Sequence, residues 1–327
     1  MRSTFYSVTN KILLFLFSAL TPGEIINGQS ASEEKSSNLT LGYSSIIFQD
    51  SKPQDANAAI FIWTEEIRKN VYTDFRQKVD LSTYIFDSPN EIAAALSEDK
   101  ADILVLPTPD YFILRQKFDL VPSLVGIIDN SPYFQFVLLV RKDSGLNSLA
   151  DLRNRTLSQP KEEFHPLLNF WISGLLEKKF NVDKNHFFND VRIEEKEHNA
   201  VYSLFFNKSD CAIVEKDLFI TLCSLNPQLS NSIKILDASP ELISLVTVYS
   251  KKSEAKVKNI LSWLSNNIHN STEGQNILRL FKVKRLVKVT DKDLQSTKNL
   301  IDEYKNDSSK IVKVPRQGPG RKKKKAD

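Results

Sequence analysis

The sequence predicts an α/β protein with two lobes, each a mostly parallel sheet flanked by helices, joined by two long hinge strands. Strand-like segments alternate with segments of helical periodicity along the chain, which is typical of parallel sheets covered by helices on both faces. Two long apolar strands, 134–141 and 242–249, enclose the second α/β unit. A chain of 327 residues is long enough to bury two cores.

The first unit predicts a β-α-β-α-β order followed by a further helix and strand. Ala59, Ile60, Trp63 and Ile67 give the first helix its apolar spacing. Ser88 is a helix cap, because Pro89 follows it and Glu91 lies three residues further on. The predicted elements are a strand from 39, helix 55–70, strand 81–86, a helix after 88, strand 101–107, helix 111–117 and strand 120–128.

The second unit repeats the alternation. Ser148 and Asp151 predict a capping box after the turn Asp143-Ser-Gly. Pro166 is expected at the first position of the long helix that follows. The predicted elements are strand 156–158, helix 166–180, strand 191–194, helix 198–206, strand 210–214, helix 217–225 and a strand from 234, with closing helices at 253–268, 272–281 and 291–304.

Both chain ends differ from the body. Arg2 and Lys11 precede the nine-residue apolar run 12–20, too short to cross a bilayer, which needs about 20 residues. Residues 1–31 therefore predict a secretory signal peptide, with an uncleaved N-terminal anchor as the alternative. The tail after Pro315 carries a net charge of +5 and residues 1–31 carry +1, so the body carries −2 of the total +4. A body that is not basic is a poor nucleic-acid binder.

These observations divide the chain into five segments. Residues 1–31 are the signal peptide and residues 306–327 are a disordered basic tail. The first lobe contains residues 38–133 and, after the insertion, the return strand and C-terminal helices at 242–305. The second lobe, inserted between the two parts, is 134–241.

The sequence offers little support for metal or enzyme chemistry. Cys211 and Cys223 are the only cysteines; we expect two buried free thiols, with a disulfide as the alternative that export permits. His165 beside Glu162 or Glu163 is weak evidence for a metal site. There is no Gly-x-Ser-x-Gly, His-Glu-x-x-His or glycine-rich phosphate loop. We therefore expect no cofactor and no catalytic residues.

Five ordered segments resemble the phosphate/phosphite/phosphonate-binding proteins of ABC importers, which have the type 2 periplasmic binding protein fold. The most specific is Val140-Arg-Lys-Asp-Ser-Gly-Leu-Asn-Ser-Leu-Ala-Asp-Leu. The others begin at Leu39, Ala101, Glu197 and Val287, and together the resemblance covers about 39–304. It implies a binding protein that performs no chemistry, acts as a monomer in the periplasm, and delivers a small molecule to an ABC permease or a membrane sensor.

The resemblance also implies a ligand site, because strand ends that face the cleft bind ligand in this family. The predicted ligand-binding residues are Tyr43, Ser44, Ser45, Thr108, Tyr111, Ser158, His165, His198, Asn199 and Glu215.

One segment departs from the family pattern. Where phosphonate binders carry Ser-x-Ser-Gly, this chain has Gln-Pro-Lys-Glu-Glu-Phe-His-Pro at 159–166. Glu162 and Glu163 would repel a phosphonate dianion by about 1 kcal/mol in water and several-fold more in a dry cleft. The interpretation we favour is that they complement the dipole of the next helix. The sequence therefore neither assigns nor excludes an oxyanion ligand such as a phosphonate.

Two alternatives remain beside the solute-binding function. The chain could be a degenerate binding fold that serves as a protein-interaction or sensor module, which the missing serine motif fits equally well. An enzyme on the same scaffold is disfavoured, because the sequence shows no nucleophile–base pair.

Overall fold

The computed structural model describes residues 37–48, 53–128, 130–163 and 165–308. The predicted signal peptide lies outside these residues. Of the predicted disordered tail, 306–327, residues 306–308 form the end of the last helix, and the remainder lies outside the described residues. The strands are β1 Ser37–Ser44, β2 Val79–Phe86, β3 Ile103–Pro107, β4 Leu120–Ile127, β5 Phe136–Arg141, β6 Thr156–Pro160, β7 Asp190–Glu194, β8 Cys211–Glu215, β9 Ile233–Ala238, β10 Leu245–Ser250 and β11 Arg285–Lys288.

Helices connect and cover these strands. They are α1 Pro53–Phe75, α2 Pro89–Ser97, α3 Thr108–Leu114, α4 Leu168–Phe180, α5 Lys184–Phe187, α6 Glu197–Phe205, α7 Lys216–Leu225, α8 Pro227–Ser232, α9 Glu254–Asn266, α10 Thr272–Leu280 and α11 Gln295–Ser308. Short 3₁₀ turns lie at Ser45–Phe48, Leu149–Leu152, Lys251–Ser253 and Ile268–Asn270. In the described part of the chain no helix is both long and apolar enough to cross a membrane.

The strands form two sheets. The first has the order β11-β4-β10-β3-β1-β2 and the second β7-β6-β8-β5-β9. β1 is parallel to β2 and β3, and β6 is parallel to β7 and β8. Three strands run against the majority direction, β10 and β11 in the first sheet and β5 in the second. The predicted two-lobe α/β fold is confirmed, and two of the reversed strands, β5 and β10, are those the chain enters on changing lobe.

The chain crosses between lobes twice, and the two crossing segments pair with each other. The first crossing segment is residues 130–135, and the second is 239–244. The Phe134 N–H donates to the Leu242 carbonyl at 3.0 Å, and the Leu242 N–H donates back at 2.9 Å. Each predicted hinge strand is therefore an isolated bridge at the crossing followed by a regular strand in one sheet.

Local sequence signals set several element ends. The Ser88 hydroxyl accepts the Glu91 N–H at 3.3 Å, and the Glu91 carboxylate accepts the Asp87 N–H at 3.0 Å. The Ser148–Asp151 capping box forms, but it opens a 3₁₀ turn instead of an α-helix. The long second-lobe helix, α4, begins at Leu168, two residues later than predicted.

Three apolar cores hold the lobes. One lies between the first sheet and helices α1 and α9, where Ile60, Trp63, Ile67 and Val71 supply the buried face of α1. Another lies between the second sheet and α6 to α8. The largest contains residues of both sheets together with α2, α3, α4 and α11. Cys211 is a buried free thiol as expected, whereas Cys223 is free but only half-buried.

The C-terminal helix contacts both lobes. Residues 242–305 are predicted to belong to the first lobe, but α11 packs along α4, a helix of the second-lobe segment. The Tyr304 ring lies edge-on to the Phe170 ring, with centroids 5.2 Å apart.

Candidate functional site

A histidine and two glutamates meet at one edge of the second sheet. His165 Nδ1 lies 3.3 Å from Glu215 Oε1, and His165 Nε2 lies 3.7 Å from Glu197 Oε2. The Glu215 backbone N–H donates to Glu197 Oε1 at 2.5 Å. The three side chains are 14%, 18% and 35% exposed for His165, Glu197 and Glu215. We call these three residues the His165 cluster; Glu215 is the member most open to solvent.

Strand direction brings the cluster together. Because β6, β7 and β8 are parallel, the residues that follow them meet at one edge of the sheet. His165 is in the loop after β6, Glu197 opens α6 after β7, and Glu215 ends β8. Open α/β sheets bind ligands beyond the carboxyl ends of their strands. The cluster therefore occupies the expected position of a ligand site.

An aromatic stack supports the histidine. Phe136 is opposite Glu215 in the β5–β8 ladder and is fully buried. Its ring lies 5.9 Å from the His165 ring and stacks on Trp171 of α4 at 6.1 Å. The imidazole is thus held between an apolar wall and two carboxylates.

Burial sets the charge of the cluster. It raises the pKa of the Glu197 carboxyl, an effect that His165 opposes and the Glu215 carboxylate reinforces. Glu197 therefore holds its proton to a higher pH than an exposed glutamate does. A cationic or hydrogen-bond-donating group next to these carboxylates would favour the ionised form.

The Ser158 hydroxyl, a predicted ligand contact, has an internal partner. It donates to Glu194 Oε1 at 2.9 Å, and the Ser203 hydroxyl of α6 donates to the same oxygen at 2.8 Å. Ser158 is fully buried. Ser158 orients the Glu194 carboxylate at the end of β7. Its hydroxyl, directly before the loop that replaces the serine motif, is therefore already hydrogen-bonded within the protein.

The predicted role of the two adjacent glutamates is wrong. α4 has no acidic residue in its first turn. Glu162 pairs instead with Lys184 of α5, and it accepts the Gln159 side-chain amide at 2.9 Å. Lys184 and Gln159 are buried, whereas Glu163 is exposed. Glu162 therefore fastens the loop that carries His165, a contact that only the tertiary structure creates.

Replacing Glu162 by glutamine should destabilise the protein by about 1–2 kcal/mol, because buried Lys184 loses its ionic partner while the half-exposed carboxylate limits the loss. Chemical denaturation at neutral pH measures the change. Glu163→Gln is the matched control and should stay within about 0.5 kcal/mol of wild type. Equal effects of the two substitutions would contradict the assigned role of Glu162.

Three predicted first-lobe residues are buried and have internal contacts. The Tyr43 ring packs edge-on to Phe48 in the α1 core, and burial raises the pKa of its hydroxyl. The Thr108 hydroxyl donates to the Ile243 carbonyl at 2.7 Å. The Tyr111 hydroxyl donates to Asp291 Oδ1 at 3.1 Å. Thr108 therefore contacts the second crossing segment, and Tyr111 the turn before α11.

The remaining predicted residues stay near strand and helix ends. Ser44 ends β1 and is buried, and Ser45 opens the following 3₁₀ turn. The His198 ring lies edge-on to Tyr202, 5.9 Å away, and the Asn199 N–H donates to the Lys196 carbonyl. That these residues contact ligand stays a prediction.

Two acidic groups at strand ends are absent from the predicted site residues. Glu197 directly precedes the predicted His198, and it is Glu197 that contacts His165 in the cluster. Asp110 lies in the first turn of α3, after β3, and burial raises its pKa to about 6. A carboxylate next to a strand end was a visible signal for both. Among the described residues no group of three or more His, Cys, Asp or Glu is arranged to hold a metal ion.

Solved structures share the fold. A Xanthomonas citri protein with bound ATP has a TM-score of 0.59 at 13% identity, over 84% of this chain and 100% of that chain. PhnD1 from Prochlorococcus marinus, in complex with methylphosphonate, has a TM-score of 0.53 at 15% identity, over 82% of this chain and 98% of that chain. The binding component of a Pseudomonas aeruginosa ABC phosphonate transporter has a TM-score of 0.52 at 16% identity, over 85% of this chain and 90% of that chain.

These identities show the fold, not the ligand. No curated protein sequence matches the chain. A family model does match, across residues 47–294, about three quarters of the chain. Its description names a transport component that binds a substrate, and it agrees with the resemblance seen in the sequence. The chain therefore belongs to the family of phosphonate ABC transporter periplasmic substrate-binding proteins.

Proposed function

We propose that this protein captures a small molecule between its two lobes in the periplasm and delivers it to an ABC permease, acting as a monomer without catalysis. The observation that carries the proposal is the His165 cluster at the carboxyl edge of β6, β7 and β8. Family membership supports the transport role. Residues 1–31 would direct export and be removed.

The domain boundaries are part of the proposal. The first lobe comprises 38–133 and the return from 242, and the second lobe is 134–241. The paired crossing segments between the sheets support the division. Helix α11 is continuous with the first-lobe return in sequence and packs on the second lobe.

The charge of the site indicates the ligand class. Glu197 and Glu215 carry up to two negative charges, and His165 offsets at most one of them. A carboxylate about 4 Å from a phosphonate oxygen costs about 1 kcal/mol in water and several-fold more in a closed cleft. We therefore propose a ligand that presents an ammonium or another hydrogen-bond donor to Glu215. A phosphonate that also carries an amine meets this requirement, whereas methylphosphonate does not.

A ligand panel tests this function by thermal unfolding. The panel holds phosphate, phosphite, methylphosphonate, aminoethylphosphonate, sulfonates, amino acids and simple amines. A ligand at 100 times its Kd adds about 2.7 kcal/mol and raises Tm by several degrees. We expect shifts from amine-bearing ligands and none from methylphosphonate.

Glu215→Gln should weaken the ligand that binds best by about 10–100-fold, as loss of a charged hydrogen bond does. Exposed Glu163→Gln is the control and should leave the affinity unchanged. Binding of methylphosphonate that is unaffected by Glu215→Gln would refute the proposed ligand class.

A second candidate is an interaction or sensor module that no longer binds a solute. The observation in its favour is that the hydroxyls of Thr108, Tyr111 and Ser158 all have internal partners. This alternative predicts no thermal shift with any panel member. It also predicts partner binding that is insensitive to Glu215→Gln.

A further inference from the structure

Helix α11 and the turn before it are attached to both lobes at three points. The first is in the turn before the helix. Asp291 forms an ion pair with Arg115, the residue after α3, and it also accepts a hydrogen bond from the hydroxyl of Tyr111 in α3 at 3.1 Å. The Arg115 guanidinium lies over the Tyr111 ring, 5.0 Å from its centroid. The start of α11 is thereby attached to the helix that follows β3 in the first sheet.

The second point is the crossing between the lobes. Thr297 Oγ1 accepts the Ile243 N–H at 2.9 Å, and the Ile243 carbonyl accepts the Thr108 hydroxyl at 2.7 Å. Both polar backbone groups of Ile243 are therefore engaged, one by α11 and one by α3. Since Ile243 and Thr297 are buried, any rotation at this crossing must disturb the contact with α11.

The third point is α4 of the second lobe. Tyr304 packs edge-on against Phe170, and Glu303 Oε2 lies 3.3 Å from Lys178 Nζ. Gly174 approaches Tyr304 so closely that a Cβ on Gly174 would lie 3.7 Å from the Tyr304 Cβ. This end of α11 is thus attached to a helix of the other lobe.

A continuous apolar layer accompanies these contacts. Leu294, directly before α11, and Ile301 of α11 are buried in the core that also contains Leu106 of β3 and Trp171 of α4. Lobe movement that separates α11 from α4 would expose part of this layer to water, at a cost proportional to the apolar area exposed.

We propose that α11 is a strap that limits the opening of the cleft. The two crossing segments alone would permit a hinge, but α11 adds a third connection anchored on α3, on Ile243 and on α4. Full opening then requires the C-terminal half of α11 to separate from α4. The strap acts on the opening motion of the lobes, and its effect does not depend on which ligand the protein binds.

An engineered disulfide tests the strap in a single protein. The Cβ separation of 3.7 Å at Gly174 and Tyr304 fits a disulfide, whose Cβ atoms lie about 3.5–4.5 Å apart. The variant carries Gly174→Cys and Tyr304→Cys, with Cys211→Ala and Cys223→Ser to remove the native thiols. The oxidised form locks α11 to α4. The reduced form lacks both the lock and the Tyr304 ring.

Small-angle scattering and amide hydrogen exchange compare the two forms without any ligand. We expect the reduced form to have a larger radius of gyration, and amides in the segment 239–244 to exchange at least about tenfold faster than in the oxidised form. Identical scattering and identical exchange in the two forms would overturn the proposal.

Two further variants guard against a folding defect and against a general effect on the helix. Tyr304→Ala keeps the native thiols, and it should shift both measurements in the same direction as the reduced form. Asp302→Asn removes the ion pair with Lys298, which lies within α11 and does not join the lobes, so it should shift neither measurement. Equal responses of Tyr304→Ala and Asp302→Asn would also overturn the strap.

Discussion

Replacing Phe136 by alanine should lower the free energy of unfolding by about 3–5 kcal/mol, the usual cost of removing a buried phenyl ring. Phe136 is fully buried at the start of β5. Its ring contacts the rings of Phe134 at 5.1 Å, Trp171 at 6.1 Å and His165 at 5.9 Å. The cavity would open where the first crossing segment, α4 and the His165 cluster meet, so little can collapse into it.

Chemical denaturation of the variant beside wild type measures this loss. Phe206→Ala is the matched control, because Phe206 is 62% exposed and its removal leaves no cavity. We expect the control to change the free energy of unfolding by about 0.5 kcal/mol or less. A loss below about 1 kcal/mol for Phe136→Ala would contradict the central packing role of this ring.

Replacing His165 by alanine should make the stability of the protein fall more steeply with rising pH. In the wild type, burial raises the pKa of Glu197, and His165 lowers it again in part. Without the imidazole the folded-state pKa rises further above the unfolded value. A carboxyl of this kind binds its proton more tightly in the folded state, so its stabilisation is complete at low pH and is lost as pH rises through the folded pKa.

At neutral pH we expect His165→Ala to cost about 1–3 kcal/mol, since two partly buried carboxylates lose their shared partner. Denaturation curves between pH 4 and pH 8 give the slope. Adding Glu197→Gln should restore most of the loss, because it removes the uncompensated charge. His186→Ala is the matched histidine control: His186 is exposed and pairs only with Asp183 of its own turn among the described contacts. A flat difference between His165→Ala and wild type across this pH range would refute the electrostatic coupling.

Much of the fold was predictable because its signals are local. The Ser88 cap, the Ser148–Asp151 box and the apolar face of α1 depend on neighbours within one or two turns. The elements missed, α5, α8 and β11, span four, six and four residues. The helices α5 and α8 contain fewer than two helical turns, and β11 contains only two strand repeats, so periodicity identifies none of them.

The candidate site was predictable only as a region. Strand order places His165 and Glu215, both predicted ligand residues, at one sheet edge. The sequence could not show that Glu197 would join them, or that Thr108, Tyr111 and Ser158 would have internal partners. A hydroxyl after a strand end has the same sequence context whether it faces a cleft or a carbonyl from a segment more than a hundred residues away.

The sequence alone determined three features: the alternation of strands and helices, the inserted second unit and the family resemblance. Each of them depends on residue types at short spacing. The partners of Glu162, the pairing of the crossing segments and the attachment of α11 to α4 were decided by the tertiary structure. Glu162 and Glu163 are adjacent and identical in type, yet one is paired with a buried lysine and the other is exposed to solvent. The difference arises because Lys184 approaches in space from 22 residues away, and no local pattern encodes that distance.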